Sequence, residues 1–496
     1  MTRATVLGVD IGTSSSKAVL VGLDGVIVRS VTRAHSVSRP SPGHVEMDAA
    51  IWWDEFAGMA RELAGEDTDI VAIGVSGMGP CVLLADEHGE PVRPAILYGV
   101  DTRATVEIDE LTVLLGADRI LETCGSSLTS QAVGPKLAWL HKHENETFSR
   151  ARRLFMPSSW LAFRLTGEYV LDFHSASQST PLFDARSLDW HPEWAGLLAR
   201  HISLPSLRWP GDAAGTLTAD AARETGLPEG IPVLTGTIDA WSEAISAGAH
   251  EVGDLMLMYG TTMFLIHTML EPHTSPSMWG TVGALPRTRN LAGGMATSGA
   301  ITGWLRELVG SPEFPELLAE AAVSGPGARG LVMLPYFAGE RTPIQDPQAR
   351  GIIAGLSLSH TRGDLYRAAL EATAMGVRHN IETMRHTGAV IERVVAVGGG
   401  TQGDLWTQIV SDVTGCRQMI PSKTIGASFG AAFLAAQLVA DASIEDWNPV
   451  AEIVEPNIEL SADYDELYRI YRELYVDTKD LVHMLAEREE RFAAHD

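Results

Sequence analysis

Several stretches of this 496-residue sequence place glycine, hydroxyl and charged residues at the ends of apolar segments. The first runs from Asp10 through Gly12, Thr13 and three serines to Lys17. Such a turn between two strands can aim backbone N–H groups at phosphate oxygens, with Asp10 as a ligand for Mg²⁺ and Lys17 as a positive charge. It is not a Walker A loop, because a strand and not a helix follows it. Taken alone, this stretch fits an ordinary hairpin turn equally well.

The second stretch is Gly260, Thr261 and Thr262, again between two apolar strands. A Gly-Thr turn by itself indicates only a turn. It gains weight because it repeats the first pattern about 250 residues later, which indicates a degenerate internal repeat. A phosphate clamp would need one such loop from each half of the chain. We therefore predict two domains, 1–245 with the first phosphate loop and 246–496 with the second.

The third stretch, Gly398 to Gly403, lies between the predicted strand Arg393–Val397 and a predicted helix. It has the GxGxxG spacing of a dinucleotide-binding fold. That interpretation is weakened because the motif lies near the C-terminus and because Lys423 stands where an acidic residue is expected. We favour a turn in which glycines let the backbone approach a nucleotide, with the helix N-terminus behind it. A nicotinamide oxidoreductase stays as an alternative.

Asp239 follows the predicted strand Val233–Gly236 and opens a predicted helix. Asp is a favoured N-cap, and most Asp residues in this position only cap. A carboxylate at a helix N-terminus also stays ionised, because the helix dipole favours the anion. That is what a general base for a substrate hydroxyl requires. Because phosphoryl transfer otherwise needs mainly positioning and charge neutralisation, we predict Asp239 as the catalytic base.

The elements that must position these stretches alternate between strands and helices, which predicts an α/β fold. The strands Thr5–Asp10 and Ala18–Val21 flank the first turn, and Asp254–Tyr259 and Met263–Ile266 flank the second. The polar stretch Ser175–Thr180 predicts a loop. Helices are predicted over Asp48–Leu63, Gly363–Met384, Asp404–Thr414, Gly426–Val439 and from Asp463 onward.

Composition excludes several classes of function. The net charge of -26 argues against nucleic acid or an anionic membrane surface as a partner. The three cysteines show no CxxC spacing, so neither a disulfide framework nor a zinc site is indicated. The N-terminal segment enters a strand directly, and no apolar run has the length of a spanning helix. We therefore expect a cytoplasmic protein.

Taken together, these motifs resemble the FGGY family of carbohydrate kinases, and the resemblance covers essentially the whole chain. Two of the motifs, Tyr336–Pro343 and Gly355–Ser359, resemble those of the family members that phosphorylate xylulose. The motifs that carry the resemblance are Val6–Leu20, Gly43–Asp48 with Trp52 and Trp53, Lys136–Leu140, Arg164–Glu168, Tyr336–Pro343, Gly355–Ser359 and Gly398–Ala432.

The resemblance implies two ribonuclease-H-like, actin-like ATPase lobes with the active site in the cleft between them. It implies transfer of the γ-phosphate of ATP to a hydroxyl of a pentulose, first of all D-xylulose. Mg²⁺ is implied as cofactor with Asp10 as its ligand, and Asp239 as base. The residues implied along the nucleotide are Thr13, Lys17, Gly260, Thr261, Thr262, Gly299, Gly399, Gly400, Thr401 and Asp404. Those implied on the sugar side are Met78, Gly79, Pro80, Asp101, Arg103 and Asp239.

One departure from the family pattern concerns the sugar. The xylulose-phosphorylating members carry a Met-His pair where this chain has Gly79 and Pro80, and Tyr98 stands near the position of their Trp. This predicts a roomier or less polar pocket, and it leaves ribulose, glycerol, an erythritol-like polyol or gluconate as alternatives. An actin-like ATPase without a sugar substrate and a non-catalytic sugar sensor are further alternatives. A homodimer is compatible with the sequence.

Overall fold

The computed structural model describes residues 3–493, and its chain divides into two compact units. Unit 1 consists of the chain up to Val252, Thr268–Asn290 and Ile425–Pro449. Unit 2 consists of Gly253–His267, Leu291–Thr424 and the chain from Val450 onward. Each unit is therefore built from segments that are distant in sequence.

Strands and helices alternate along the described residues, which confirms the α/β class predicted from the sequence. The strands are β1 (Arg3–Ile11), β2 (Ser15–Gly22), β3 (Ile27–Ala34), β4 (Glu46–Met47), β5 (Thr68–Gly77), β6 (Leu83–Ala85), β7 (Ala95–Ile96), β8 (Arg153–Phe155), β9 (Val170–Asp172), β10 (Phe183–Asp184), β11 (Asp189–Trp190), β12 (Ser206–Arg208), β13 (Ala213–Thr216), β14 (Pro232–Leu234), β15 (Thr237–Ile238), β16 (Asp254–Tyr259), β17 (Met263–Met269), β18 (Trp279–Val282), β19 (Arg289–Met295), β20 (Val332–Leu334), β21 (Ile352–Ala354), β22 (Arg393–Val397), β23 (Gln418–Pro421) and β24 (Val450–Val454). The helices are α1 (Ala49–Leu63), α2 (Thr105–Leu115), α3 (Ala117–Cys124), α4 (Val133–His143), α5 (Asn145–Arg150), α6 (Pro157–Thr166), α7 (Phe173–Ser177), α8 (Pro192–Leu198), α9 (Ala219–Thr225), α10 (Asp239–Ser246), α11 (Gly299–Leu308), α12 (Phe314–Ser324), α13 (Arg362–His386), α14 (Asp404–Thr414), α15 (Ala427–Ala436), α16 (Ile444–Trp447) and α17 (Ser461–Ala493).

The first large sheet has seven strands, in the order β13-β14-β5-β1-β2-β3 with β15 also paired to β5. Strands β1, β2 and β3 are antiparallel neighbours, whereas β5 runs parallel to β1, β14 and β15. Strand β1 is buried over nearly its whole length, as its continuous apolar sequence predicts for a central strand. The carboxyl ends of β1, β5 and β15 therefore meet at one edge of the sheet.

The second large sheet also has seven strands, in the order β18-β19-β17-β16-β22-β23-β24. Its hairpin β16–β17 is antiparallel, and β22 runs parallel beside β16. The first sheet has the same arrangement, with hairpin β1–β2 and parallel β5 beside β1. The internal repeat predicted from the two Gly-Thr turns is therefore present in the topology.

Helix α15 packs directly on the backbone of the first sheet. A Cβ atom added to Gly8 of β1 would overlap the carbonyl oxygen of Ser428, and one added to Gly74 of β5 would overlap that of Ala431. Such close approach of a helix to two strands requires glycine at both strand positions. This contact explains why the segment Ile425–Pro449 belongs to unit 1 despite its place late in the chain.

The predicted loop at Ser175–Thr180 is partly wrong. Residues Phe173–Ser177 form the short helix α7, which Asp172 caps by accepting a hydrogen bond from the Ser175 N–H at 3.0 Å. Small polar residues predict a turn from sequence, but here the Asp172 cap and the burial of residues 174–177 favour a helical turn. Within residues 3–493, none of the helices combines the length and apolarity needed to cross a bilayer.

Candidate active site

The strand register of unit 1 brings Asp10 and Asp239 to the same edge of the first sheet. Asp10 of β1 is the register partner of Ser76 of β5, and Ser76 is also the partner of Thr237 of β15. The Ser76 hydroxyl donates to Asp10 Oδ1 at 2.8 Å. Ligands of open α/β sheets bind outside the carboxyl ends of the strands, so this edge is the place expected for chemistry.

Asp239 is the first residue of α10, and Ile238 occupies the N-cap position. Its Oδ1 accepts a hydrogen bond from the Ala240 N–H at 2.7 Å, and the residue is half-buried. Burial of the carboxyl raises the pKa of Asp239, while the Ala240 hydrogen bond opposes that rise. A carboxylate whose pKa is moved towards neutrality is a better proton acceptor, which suits a general base.

The negative charge of Asp10 is poorly compensated within the protein. Burial raises the pKa of Asp10, and the charges of Asp239 and Glu243 raise it further, whereas the Ser76 hydroxyl and Lys17 lower it. The charge balance at this edge is therefore negative, and a cation is the simplest way to neutralise it. No group of three or more His, Cys, Asp or Glu side chains arranged to hold a metal ion occurs within the described part of the chain.

Glu243 was not predicted from the sequence, and it lies one helical turn after Asp239 on the same face of α10. Burial raises the pKa of Glu243 to about 7, Lys17 lowers it and Asp239 raises it. The Lys17 ammonium donates to the carbonyl oxygen of Ile425 at 2.6 Å. Four charged groups of unit 1 thus influence one another, and three of them, Asp10, Lys17 and Asp239, were predicted from the sequence as site residues.

Asp172, which was not predicted from the sequence either, fixes strand β15, the strand that leads to Asp239. The Thr237 hydroxyl donates to Asp172 Oδ1 at 2.9 Å, and both residues are buried. Burial raises the pKa of Asp172 to about 6. Because Asp172 is the N-cap of α7, the same carboxylate positions α7 and β15.

The predicted sugar-side residues of unit 1 fall into two groups, of which the first, residues 78–80, directly follows β5. The Thr13 hydroxyl lies 2.9 Å from the Tyr98 hydroxyl and 3.7 Å from the Met78 sulfur. Gly79 packs against the residue before the predicted base, since a Cβ added to Gly79 would lie 2.7 Å from Ile238 Cγ1. Next to Gly79, the space that a larger side chain would take is therefore filled by Ile238.

The second sugar-side group is Asp101 and Arg103, whose charges are already paired within the protein. The Arg103 guanidinium donates to Asp101 from Nε and Nη2 and lies 2.7 Å from Glu46, with its side chain fully buried. It also stacks over the Trp139 ring, 5.0 Å from the ring centroid. Asp101 Oδ2 accepts a further hydrogen bond from Val45 N–H at 2.6 Å. These contacts position the segment that follows Tyr98.

Buried Lys136 fixes the other end of this segment. Its ammonium donates to the Tyr98 carbonyl oxygen at 3.0 Å, and burial lowers the pKa of Lys136 to about 8. The side chains of Ser130 and Gln131 bond the backbone of Gly99. The 98–103 segment is thus held by buried charges and hydrogen bonds along its length.

In unit 2 the structure brings the predicted nucleotide residues together around the end of β16. The Gly299 N–H donates to the Gly260 carbonyl at 3.0 Å, and the Ala300 N–H donates to that of Thr261 at 3.1 Å. These contacts hold the tip of the β16–β17 hairpin against the N-terminus of α11. A Cβ added to Gly299 would lie 2.7 Å from the Gly260 oxygen, so this approach requires glycine.

The glycine-rich turn of unit 2 packs against the same strand end. Gly398 has a φ of 94°, and a Cβ there would lie 2.5 Å from the Tyr259 carbonyl oxygen. Thr401 closes the turn by donating its hydroxyl to the Gly398 carbonyl at 2.8 Å. Gly399 is exposed, and Asp404 is the exposed first residue of α14. The backbone of this turn is therefore open to a ligand at a helix N-terminus.

Comparison with known proteins agrees with this geometry. Residues 5–246 match the N-terminal domain, and residues 255–438 the C-terminal domain, of the FGGY family of carbohydrate kinases. The chain belongs to this family. It is therefore a carbohydrate kinase with ATP as phosphate donor, and the enzyme class predicted from the sequence is confirmed.

Individual relatives cover nearly the whole chain. The xylulose kinase of Staphylococcus xylosus is 27% identical, over 95% of this chain and 100% of its own. The glycerol kinase of Janthinobacterium sp. is 28% identical, over 88% of this chain and 90% of its own. The crystal structure of xylulose kinase from Rhodospirillum rubrum is 33% identical, with a TM-score of 0.91 over 97% of this chain and 100% of its own. These likenesses confirm the two-lobed, actin-like fold.

Proposed function

We propose that this carbohydrate kinase phosphorylates a pentulose, with D-xylulose as the first candidate, and that Asp239 is its catalytic base. The proposal rests chiefly on one observation, which is that Asp239 begins α10 at the sheet edge that also carries Asp10. Xylulose as the substrate is supported by the relatives from Staphylococcus xylosus and Rhodospirillum rubrum.

In this mechanism Asp239 accepts the proton of the sugar hydroxyl as that oxygen attacks the γ-phosphorus of ATP. The bond from this phosphorus to the bridging oxygen of the β-phosphate breaks, and ADP leaves. The N-terminal dipole of α10 and the Ala240 N–H keep the carboxylate ionised until it takes the proton. The Gly12–Lys17 stretch offers backbone N–H groups, the Thr13 hydroxyl and the Lys17 charge to phosphate oxygens. Positioning and charge neutralisation supply most of the remaining acceleration.

Mg²⁺ is the metal implied by the family, and the residues present fit it. Asp10 offers one carboxylate, half-buried at a strand end, in surroundings with an excess of negative charge. Mg²⁺ commonly binds to one or two carboxylates and completes its shell with waters and substrate phosphates. We propose that Asp10 holds Mg²⁺ in this way, and the ion would neutralise charge on the triphosphate.

Nucleotide binding is assigned to unit 2 as part of the same proposal. Gly260, Thr261 and Thr262 with Gly299 would face the phosphates, and Gly399, Gly400, Thr401 and Asp404 would lie along the rest of the nucleotide. The glycine-rich turn at the N-terminus of α14, with its exposed Gly399 and Asp404, supports this assignment. The domain boundary near residue 245, a cytoplasmic location and a homodimer stay predictions.

A polyol or another ketose is the second candidate substrate, and Gly79 is the observation that favours it. The xylulose-phosphorylating members place a Met-His pair at Gly79 and Pro80, whereas here Ile238 fills the space beside Gly79. The pocket is therefore less polar on this side. Met78, Asp101 and Arg103 would shape the rest of the sugar site, with the last two acting through the 98–103 segment.

The test is an ADP-release assay with D-xylulose, D-ribulose, glycerol, erythritol and gluconate in turn. We expect ADP formation that depends on added sugar and is greatest with D-xylulose. In Asp239→Ala the rate should fall to about 1% of the wild-type rate or less. Sugar-independent ATP hydrolysis at the same rate would contradict the kinase assignment. If another acceptor is preferred, the kinase assignment stands and that compound replaces D-xylulose as the proposed substrate.

A further inference from the structure

The first phosphate loop is supported by a buried histidine that no part of the proposed mechanism uses. Strands β2 and β3 pair so that Ser15 lies opposite Ala34, which places His35 beside the loop. The His35 backbone N–H donates to the Ser14 carbonyl at 3.0 Å, and its ring Nε2 lies 3.0 Å from the Gly12 carbonyl oxygen. One residue thus contacts two carbonyl groups of the loop.

A carboxylate on helix α1 fixes the orientation of this ring. His35 Nδ1 lies 3.0 and 3.2 Å from the two carboxylate oxygens of Glu55. The side chains of His35 and Glu55 are only 5% and 16% exposed. The Gly12 carbonyl oxygen can only accept a hydrogen bond, so ring Nε2 donates to it, and Glu55 contacts the other ring nitrogen. Glu55 therefore holds the ring with Nε2 towards the loop.

The hydrogen bond to Gly12 determines where the next N–H points. In a trans peptide the carbonyl oxygen of Gly12 and the N–H of Thr13 point in opposite directions. Fixing the Gly12 oxygen towards His35 therefore turns the Thr13 N–H away from His35. Without that bond the peptide between Gly12 and Thr13 could flip, since glycine permits many backbone conformations. A flipped peptide would present a carbonyl oxygen, which repels phosphate, where the N–H had been.

We propose that His35, oriented by Glu55, is a positioning residue that holds the Gly12–Thr13 peptide in the phosphate-binding orientation. This inference rests on the proposed role of the Gly12–Lys17 stretch in phosphate binding. The pair acts on the triphosphate through the loop backbone, and it has no direct role in sugar binding.

The test compares three variants that change the pair in different ways. His35→Phe keeps a ring but removes both donors, His35→Gln keeps one donor, and Glu55→Gln keeps an acceptor oxygen but removes the charge. His201→Phe is the matched control, because His201 also contacts a backbone carbonyl, that of Phe148 at 3.1 Å, elsewhere in unit 1. Thermal melting identifies any variant that fails to fold, in which case the other two variants carry the test.

Losing the hydrogen bond that orients the Gly12–Thr13 peptide should raise the KM for ATP about tenfold in His35→Phe, with the KM for sugar changed less than about twofold. His35→Gln should recover part of the loss, and the control should match the wild type. Calorimetric titration separates phosphate contacts from the rest of the nucleotide: the variant should bind ATP more weakly and adenosine equally well.

Equal weakening of ATP and adenosine would overturn the proposal, as would ATP affinity within twofold of wild type in both His35→Phe and Glu55→Gln. A shift in the KM for sugar alone would overturn it too. The titrations do not require catalysis. If the wild-type protein releases no ADP with any acceptor, the proposed function is refuted. The comparison of ATP and adenosine binding among the variants would still test the role of His35.

Discussion

Asp239→Asn separates the chemistry of the proposed base from its structural role. Asn keeps the size of the side chain and an oxygen that can accept from the Ala240 N–H. It loses the favourable interaction of a carboxylate with the N-terminus of α10, about 0.3–1 kcal/mol. It also removes a negative charge that acts against Asp10 and Glu243. These two effects oppose each other, so the free energy of unfolding should change by less than about 1 kcal/mol.

The effect on catalysis should be much larger than the effect on stability. Loss of a general base typically costs about 10²- to 10⁴-fold in rate. At 1.36 kcal/mol per factor of ten, this raises the barrier by about 2.7–5.4 kcal/mol. Because Asp239 would act on the sugar hydroxyl in the transition state, kcat should carry the loss and the KM for ATP should change little.

Initial rates of ADP release at saturating ATP and sugar, with thermal melting in parallel, measure both quantities. Asp118→Asn is a matched control, because Asp118 is an exposed Asp in the first turn of α3. If Asp239 only stabilised the N-terminus of α10, Asp239→Asn would lower turnover no more than Asp118→Asn does. Turnover of Asp239→Asn within about tenfold of wild type would refute the assignment of Asp239 as base.

Other substitutions test the metal, the sugar side and the packing of unit 1. Asp10→Asn should sharply raise the Mg²⁺ concentration needed for half-maximal activity, and full activity in excess chelator would contradict the metal site. Gly79→Ala should raise the KM for sugar, and adding Ile238→Ala should restore it by removing the clashing carbons. Arg103→Ala should raise the KM for sugar more than that for ATP, and it should cost about 3–5 kcal/mol in denaturant unfolding by leaving buried carboxylates unpaired. Gly8→Ala should destabilise by about 1–3 kcal/mol through overlap with α15, without a selective change in either KM.

Those parts of the fold that local signals determine could be predicted from the sequence. The strand Arg393–Val397 and the helix Asp404–Thr414 have the predicted bounds. The helix predicted over Asp48–Leu63 runs from Ala49 to Leu63, with Asp48 as its N-cap. The two Gly-Thr hairpins were recognisable because each joins two short apolar strands through a turn. Such patterns involve neighbouring residues only, so they can be read without knowing the tertiary structure.

Contacts between residues that are far apart in the chain could not be predicted. The Lys17 ammonium contacts the carbonyl of Ile425, which is 408 positions away in the chain. Glu243 has no distinguishing neighbour in the sequence, and it becomes relevant only because α10 packs on α15, where a Cβ on Gly426 would lie 3.0 Å from Glu243 Oε2. His35 follows an ordinary strand. Its contact with Gly12 depends on the β2–β3 register, which the sequence does not specify by itself.

The sugar side shows why a departure from a family pattern needs the structure for its interpretation. From the sequence, Gly79 in place of a larger residue suggested extra room or lower polarity. The structure favours lower polarity at this position, because the Ile238 side chain occupies the space beside Gly79. Ile238 is also the N-cap residue immediately before Asp239. A change at residue 79 should therefore affect the proposed sugar site through the same segment that carries the proposed base, so acceptor choice and turnover should respond together to substitutions there.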